Sequence, residues 1–207
     1  MKTKRTRLLM ILVMIVLMSS FTQVKAQKVE LSPLIGYETG AYIHYNVGQL
    51  HIIGGLNYGG SLNVGMGGGR YVELSYTHMA GSLDNETAGQ TEKLADLNVD
   101  YYSIGVLQEM KPDAKATPYG LFTLGWVNYR PSENYNNENK MHISLAGGIK
   151  IRASEKIGLR LQARLLMPLY YAGTAVYAGT GGAGYGVTGG ILGVQGDFTA
   201  ALVIMLR

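Results

Sequence analysis

The chain has 207 residues, of which 47% are hydrophobic and only 15% are charged, and it contains 29 Gly, 15 Tyr and no Cys. This length suits one domain, the low charge argues against disorder, and the lack of Cys excludes disulfides, thiolate metal sites and Cys nucleophiles. After the first 26 residues, 13 Lys and Arg stand against 14 Asp and Glu, a formal net charge of −1. No nucleic-acid partner is expected, because binding one needs a basic face.

The first 26 residues have the pattern of a secretory signal peptide. The basic residues come first and are Lys2, Lys4, Arg5 and Arg7. The apolar run Leu8–Met18 follows, and its 11 residues fall short of the ~20 that a membrane-spanning helix needs. Val24-Lys25-Ala26 then offers small residues for cleavage before Gln27. We therefore predict a signal peptide over 1–26 and a single domain over 27–207.

Period-2 alternation of apolar and polar residues recurs through the rest of the chain. It is clearest over Ile157–Leu169, where every odd-numbered residue is apolar and Arg160, Gln162 and Arg164 lie between them. Successive side chains of a strand point to opposite faces, so the pattern indicates strands with two different environments. We predict eight strands, at 28–40, 49–65, 70–82, 95–110, 117–130, 141–153, 157–171 and 191–206.

Two of these strands depart from simple alternation. In the strand at 95–110 the apolar face changes near Tyr101 and Tyr102, which predicts a β-bulge there. Between Thr117 and Arg130 both faces are apolar.

The connections alternate between short and long. The short ones are Met66–Gly69, Lys111–Ala116 and Ser154–Lys156, and the long ones are Ala41–Gly48, Leu83–Leu94, Pro131–Lys140 and Ala172–Gly190. Short turns at one end and long loops at the other are typical of outer-membrane barrels. Closure also removes strand edges whose backbone groups would be unpaired in lipid. We predict an all-β fold, an eight-stranded antiparallel up-and-down transmembrane β-barrel.

Ionisable side chains occupy the face that this barrel would turn inward. They are Glu30, Glu38, Glu73, Lys150, Arg152, Arg160, Arg164 and Asp197, and Gln162 shares the face. Eight strands enclose an interior only wide enough for side chains, where an unpaired charge is costly. Our hypothesis is a structural network in which Glu73 pairs with Arg160 or Arg164 across the lumen and helps to seal it.

Several segments carry a family resemblance. They are Gly59–Leu62, Val72–Thr77, Pro118–Gly120, Gly147–Lys150, Gly158–Arg164 and Met167–Leu169. Together they resemble the porin-like, OmpA-like outer-membrane β-barrels of Gram-negative bacteria. The resemblance covers most of the chain after the signal peptide and implies an eight-stranded barrel in the outer membrane, but no ligand.

No catalytic, cofactor or metal site is predicted. Gly179–Gly184 has the spacing of a dinucleotide fingerprint but no helix-forming sequence after it, so it reads as a flexible outer loop. His142 and Ser144 share one face, yet the acid of a triad would have to come from elsewhere, such as Glu73. The four histidines, His44, His51, His78 and His142, lack the spacing of common metal-ligand pairs.

The sequence therefore favours a non-enzymatic integral protein of the cell outer membrane with a largely plugged lumen and a structural or surface-interaction role. Its expected partners are outer-membrane lipids, the barrel-assembly machinery, and envelope or extracellular proteins that meet the loops. Three alternatives stay open. They are a narrow channel or binding barrel for a small hydrophobic molecule, an outer-membrane lipid-modifying hydrolase, and a soluble ligand-binding barrel.

Overall fold

The computed structural model describes residues 28–45, 48–87, 90–112, 114–132, 136–179, 182–191 and 193–206. The predicted signal peptide lies outside these residues. The strands are β1 (Val29–Glu38), β2 (Ala41–Tyr45), β3 (Gly48–Ile53), β4 (Gly55–Gly67), β5 (Arg70–Thr87), β6 (Gln90–Glu109), β7 (Ala116–Pro131), β8 (Glu138–Arg152), β9 (Ile157–Gly179), β10 (Gly182–Ile191) and β11 (Gln195–Leu206). Among the described residues no helix is long and apolar enough to cross a membrane.

Eight of the strands close into an antiparallel barrel. Around the ring their order is β1, β4, β5, β6, β7, β8, β9 and β11. The ring closes because β1 pairs with β4 on one side and with β11 on the other, where Val29 lies opposite Leu206. The predicted eight-stranded antiparallel barrel is confirmed. Within its wall every strand has two neighbours, which satisfies backbone groups that lipid could not.

The other three strands prolong the barrel at one end. The β2–β3 hairpin pairs with the end of β5, and β10 pairs with the end of β9. The long loops predicted at Leu83–Leu94 and Ala172–Gly190 are therefore wrong, since strands occupy most of both segments. The same holds for Ala41–Gly48. These three segments extend past the apolar band, so they lack the alternation that identifies a strand with one buried face. β3, by contrast, lies almost entirely within the strand predicted at 49–65.

The predicted bulge near Tyr101 and Tyr102 is also wrong. The pairing of β6 with β5 and with β7 runs through both residues without a shift, and the β5–β6 irregularity lies between Leu83 and Asp84. Regular alternation turns Tyr101 inward and Tyr102 outward. The apolar residues change face because the interior itself becomes apolar towards the long-hairpin end.

One short turn depends on glycine. The chain reverses between β4 and β5 through Gly67, Gly68 and Gly69, whose φ angles are 87°, 62° and 74°. These left-handed conformations are readily adopted only by glycine. The predicted short turn at Met66–Gly69 is thus confirmed, apart from the boundary of β4.

The outer face of the barrel is apolar, and the interior is lined by polar and charged groups. Leu161 and Leu202, for example, are 42% and 46% exposed, whereas Glu73 and Arg160 are buried. A soluble ligand-binding barrel would have the opposite distribution, with a charged exterior. The exterior is therefore suited to hydrocarbon.

Nitroxide labels at Leu161 and Leu202 are expected to collide often with oxygen and rarely with a water-soluble nickel complex, because both side chains project from the apolar face. The chain has no Cys, so Leu161→Cys and Leu202→Cys each give one labelling site. Power-saturation measurements on protein in lipid vesicles check this. A label at Ser154, an exposed turn residue, should give the reverse result. Frequent nickel collisions at both leucine positions would contradict the outward assignment.

Candidate functional site: the barrel interior

The central ion pair of the interior joins opposite walls of the barrel. Glu73 lies on β5 and Arg160 on β9, which are four strands apart in either direction around the ring of eight. The Arg160 Nη1 atom lies 2.5 Å from Glu73 Oε2, and both side chains are buried. The structure thus brings together two of the three residues in the predicted network. Their contact spans the whole diameter of the lumen.

Neighbouring groups hold Arg160 in this position. Its Nε donates to the Tyr119 hydroxyl at 2.8 Å, and the guanidinium lies over the Tyr119 ring, 4.8 Å from the centroid. The Tyr119 hydroxyl in turn donates to Gln162, which also accepts from Arg160. Charge-assisted hydrogen bonds of this kind fix both distance and direction. The guanidinium is therefore held between the two walls on several sides.

Arg164, the third predicted residue, pairs with a different carboxylate. Its Nη2 lies 2.6 Å from Asp197 Oδ2, and Asn57 donates to the other oxygen of Asp197 at 2.6 Å. Arg164 and Asp197 are directly opposed on the adjacent strands β9 and β11. Cross-strand neighbours meet without crossing the lumen, which explains why Asp197 and not Glu73 takes this partner.

A second ionic cluster fills the short-turn end. Lys150 Nζ lies 2.6 Å from Glu30 and 3.0 Å from Glu109, and it also lies 4.3 Å from the centre of the Tyr71 ring. Arg152 pairs with the second oxygen of Glu109 at 3.1 Å. Sequence reasoning did not identify Glu109. The outward parity of Tyr102, Ile104 and Val106 would have placed Glu109, an odd-numbered residue, inside.

The interior changes character towards the long hairpins. The Tyr101 hydroxyl contacts Glu38 at 2.7 Å and Gln195 at 3.0 Å, and β6 and β11 lie opposite each other in the ring. An apolar cluster packs around this layer, and its members are Ile52, Met79, Leu97, Val99, Tyr101, Val127 and Leu166, with Leu83 and Tyr129 against them. The long-hairpin half of the interior is thus occupied by packed apolar side chains.

The residues considered for a hydrolase do not form a triad. His142 Nε2 lies 3.0 Å from the hydroxyl of Ser103, whereas Ser144 pairs with Thr123 at 2.6 Å. The other ring nitrogen of His142 is buried with no hydrogen-bond partner among the described residues, and Glu73 is engaged by Arg160. A triad needs an acid on that nitrogen. The side chains of His44 and His51 lie outside the described part of the chain.

Comparison with known proteins supports the fold. No family model matches the chain, and no curated protein matches it. Among solved structures, the outer membrane protein OprG from Pseudomonas aeruginosa aligns with a TM-score of 0.60 at 10% identity, over 85% of this chain and 95% of that one. The chain has the fold of the eight-stranded outer-membrane β-barrels.

Two further barrels align over similar lengths. A major outer membrane protein from Thermus thermophilus gives a TM-score of 0.54 at 12% identity, over 87% of this chain and 100% of that one. Neisserial surface protein A gives 0.53 at 12% identity, over 86% and 96%. With its apolar outer band, this fold makes the chain an integral membrane protein of the outer-membrane type. A shared fold does not assign a task, which has to come from the residues.

Proposed function

We propose that the chain is a non-enzymatic integral protein of the outer membrane, a barrel with a closed interior that anchors surface-exposed hairpins. The observation that carries the proposal is the buried Glu73–Arg160 pair, which joins β5 to the opposite strand β9. A continuous aqueous path would have to separate these two groups. Separating them would lose their Coulombic attraction and their charge-assisted hydrogen bonds, which favours the closed state.

Two other layers support a closed interior. On the short-turn side of Glu73, Lys150 is held between the carboxylates of Glu30 and Glu109. On the long-hairpin side, Tyr101 bonds across the barrel to Gln195, and apolar side chains pack around that contact. Ions or polar solutes would meet all three layers in series.

The projecting hairpins supply the surface for partners. β5 and β6 pair as far as Thr87 and Gln90, and β9 and β10 pair as far as Gly179 and Gly182. Strand pairing beyond the membrane holds these segments at a fixed position on the barrel rim. We infer that envelope or extracellular proteins are contacted there, and that the barrel wall serves lipid contact and assembly.

A narrow channel or binding barrel for a small hydrophobic molecule is the second candidate. The apolar cluster in the long-hairpin half favours it, because such a ligand could replace packed side chains there. Met79 belongs to this cluster, and a flexible thioether adapts readily to a ligand. An open channel would conduct ions in the wild-type protein, whereas neither the closed barrel nor a binding barrel would.

Glu73→Arg is expected to raise single-channel conductance in planar bilayers from near zero to a measurable level. Two cations would then face each other across the lumen. Their repulsion would move the side chains at positions 73 and 160 apart and open a path between them. Glu138→Arg is the matched control, because that carboxylate is exposed. Heat-modifiable gel migration identifies the folded protein. The double variant Glu73→Ala/Arg160→Ala should show a similar conductance, because it removes the ion pair without placing like charges together. A wild-type conductance as high as that of Glu73→Arg and of Glu73→Ala/Arg160→Ala would contradict the closed interior.

A further inference from the structure

A carboxylate is buried on the outer, membrane-facing side of the barrel. Asp100 occupies an outward position of β6, next along that face to Tyr102, which is 52% exposed. The Asp100 side chain is nevertheless only 3% exposed. A charge on the apolar side of a barrel is costly unless other groups satisfy it.

Three side chains from neighbouring strands satisfy this carboxylate. The Tyr76 hydroxyl donates to Asp100 Oδ1 at 2.8 Å, and His78 Nδ1 lies 2.8 Å from the same oxygen. Arg130 pairs with Oδ2. Because a carboxylate accepts, His78 carries its proton on Nδ1, and its Nε2 is not used in this bond. We call Tyr76, His78, Asp100 and Arg130 the outer polar cluster.

The strand register places the outer polar cluster where the exterior changes from apolar to polar. Going towards the long hairpins, successive rows across β5, β6 and β7 are Leu74–Ile104–Leu124, Tyr76–Tyr102–Trp126, His78–Asp100–Asn128 and Ala80–Asn98–Arg130. The first two rows are hydrophobic or aromatic, and the last two carry amides and charges. In a barrel with long connections outside, this change marks the outer interface of the bilayer, at the level of lipid headgroups.

An apolar groove lies on the membrane side of the cluster. It has a volume of about 600 Å³ and is lined by Gly60, Leu62, Leu74, Tyr102, Ile104 and Trp126, with Tyr76 at its border with the cluster. Gly60 pairs directly with Tyr76, and its missing side chain leaves the wall recessed between larger neighbours. The groove can take an acyl chain that lies along the barrel.

Exposure decides which charged group of the cluster can meet a headgroup. Asp100 is buried, which keeps it away from a ligand. Arg130 is 48% exposed, and its guanidinium has five N–H donors, more than the pairing with Asp100 uses. Guanidinium donors beside a lipid headgroup match the oxygens of a phosphate.

We propose that this site binds a phosphate-bearing anionic lipid, with an acyl chain in the Gly60–Trp126 groove and the phosphate on Arg130. The proposal rests on the membrane location in the proposed function, not on the closed interior. It adds a defined lipid site to a wall that would otherwise meet lipids without preference.

Trp126 reports on the site directly, because it lines the groove and is the only Trp of the chain. The protein is reconstituted in phosphatidylcholine vesicles that contain either brominated phosphatidic acid or brominated phosphatidylcholine, and Trp126 quenching gives the relative affinity. We expect about a fivefold preference for phosphatidic acid, because the contact of its phosphate with Arg130 is charge-assisted but half-exposed to water. Arg130→Gln should reduce this preference to near onefold. Arg70→Gln, an exposed arginine at the other end of the barrel, should leave it unchanged.

Two more variants keep the test decisive. Should Arg130→Gln fold poorly, Asp100→Asn/Arg130→Gln removes both charges and should abolish the preference equally. Gly60→Val fills the groove without touching the polar groups, since a Cβ there meets only Ser32 O at 3.5 Å and Pro33 Cα at 3.9 Å. It should lower the affinity for the lipid while leaving the protein folded by heat-modifiable migration.

The outcomes separate the two proposals. Equal quenching by both lipids in the wild type, or a preference that survives Arg130→Gln, overturns the lipid site and leaves the membrane barrel intact. Absence of quenching by any brominated lipid overturns the membrane location itself. Full competition by inorganic phosphate at millimolar concentration would show a simple anion site and overturn the role of the groove.

Discussion

Glu73→Gln is expected to lower the free energy of unfolding by about 3–5 kcal/mol, because it leaves the Arg160 guanidinium buried without its carboxylate. Arg160 would keep its hydrogen bonds to Tyr119 and Gln162, but neither group carries a negative charge. Urea unfolding in lipid vesicles, followed by Trp126 fluorescence and gel migration, measures the change. This is the larger of the two main stability effects that the structure predicts.

Two control variants separate the loss of the pair from the loss of a carboxylate. Glu73→Gln/Arg160→Met should recover most of the stability, since replacing both partners of a buried pair is often close to neutral. Glu138→Gln removes the exposed partner of Lys140 and should cost less than about 1 kcal/mol. Equal stability of the wild type and Glu73→Gln would show that the pair is not desolvated.

Gly125→Ala is expected to destabilise the barrel by about 3 kcal/mol through a steric clash inside the lumen. A Cβ at Gly125 would lie 2.0 Å from the carbonyl oxygen of Tyr102, 2.9 Å from Ser103 Cα and 2.7 Å from His142 Cε1. Two of these three contacts are with the backbone of the neighbouring strand, which cannot move aside without breaking pairing. The same urea unfolding measurement detects the loss.

Gly120→Ala is the matched control on the same strand. Gly120 also belongs to β7, but a Cβ there meets no atom within 4 Å, so its effect should stay within about 0.5 kcal/mol. A large loss at Gly120 as well would indicate that strand flexibility, and not the space inside the lumen, decides both results.

The interior could be predicted only in part from the sequence. Alternation identified Glu73, Arg160 and Arg164 as inward, because the face of a strand residue follows from its parity. The choice of Arg160 as the partner of Glu73 depends on β5 and β9 being opposite, which the number of strands and their closure decide together. Glu109 was missed because the change of apolar face in its strand left no single parity from which to identify the inward residues.

The outer polar cluster has no signal in the sequence that alternation could reveal. Asp100, His78 and Arg130 are far apart in the chain, and they meet because the register of β5, β6 and β7 brings neighbouring rows together. The projecting hairpins, apart from β3, were missed for a related reason. Above the apolar band neither face of a strand is buried in hydrocarbon, so polarity no longer alternates.

The amino-acid sequence by itself determined the class of the protein, the number of strands in the barrel wall, and which face of each strand is apolar. Those properties are local, since they follow from a two-residue period and from glycine-rich turns. Only the tertiary structure decided which charges pair, how far the strands continue, and that a buried carboxylate lies beside a groove on the outside. These properties depend on register and closure, which bring together residues as distant as Glu73 and Arg160.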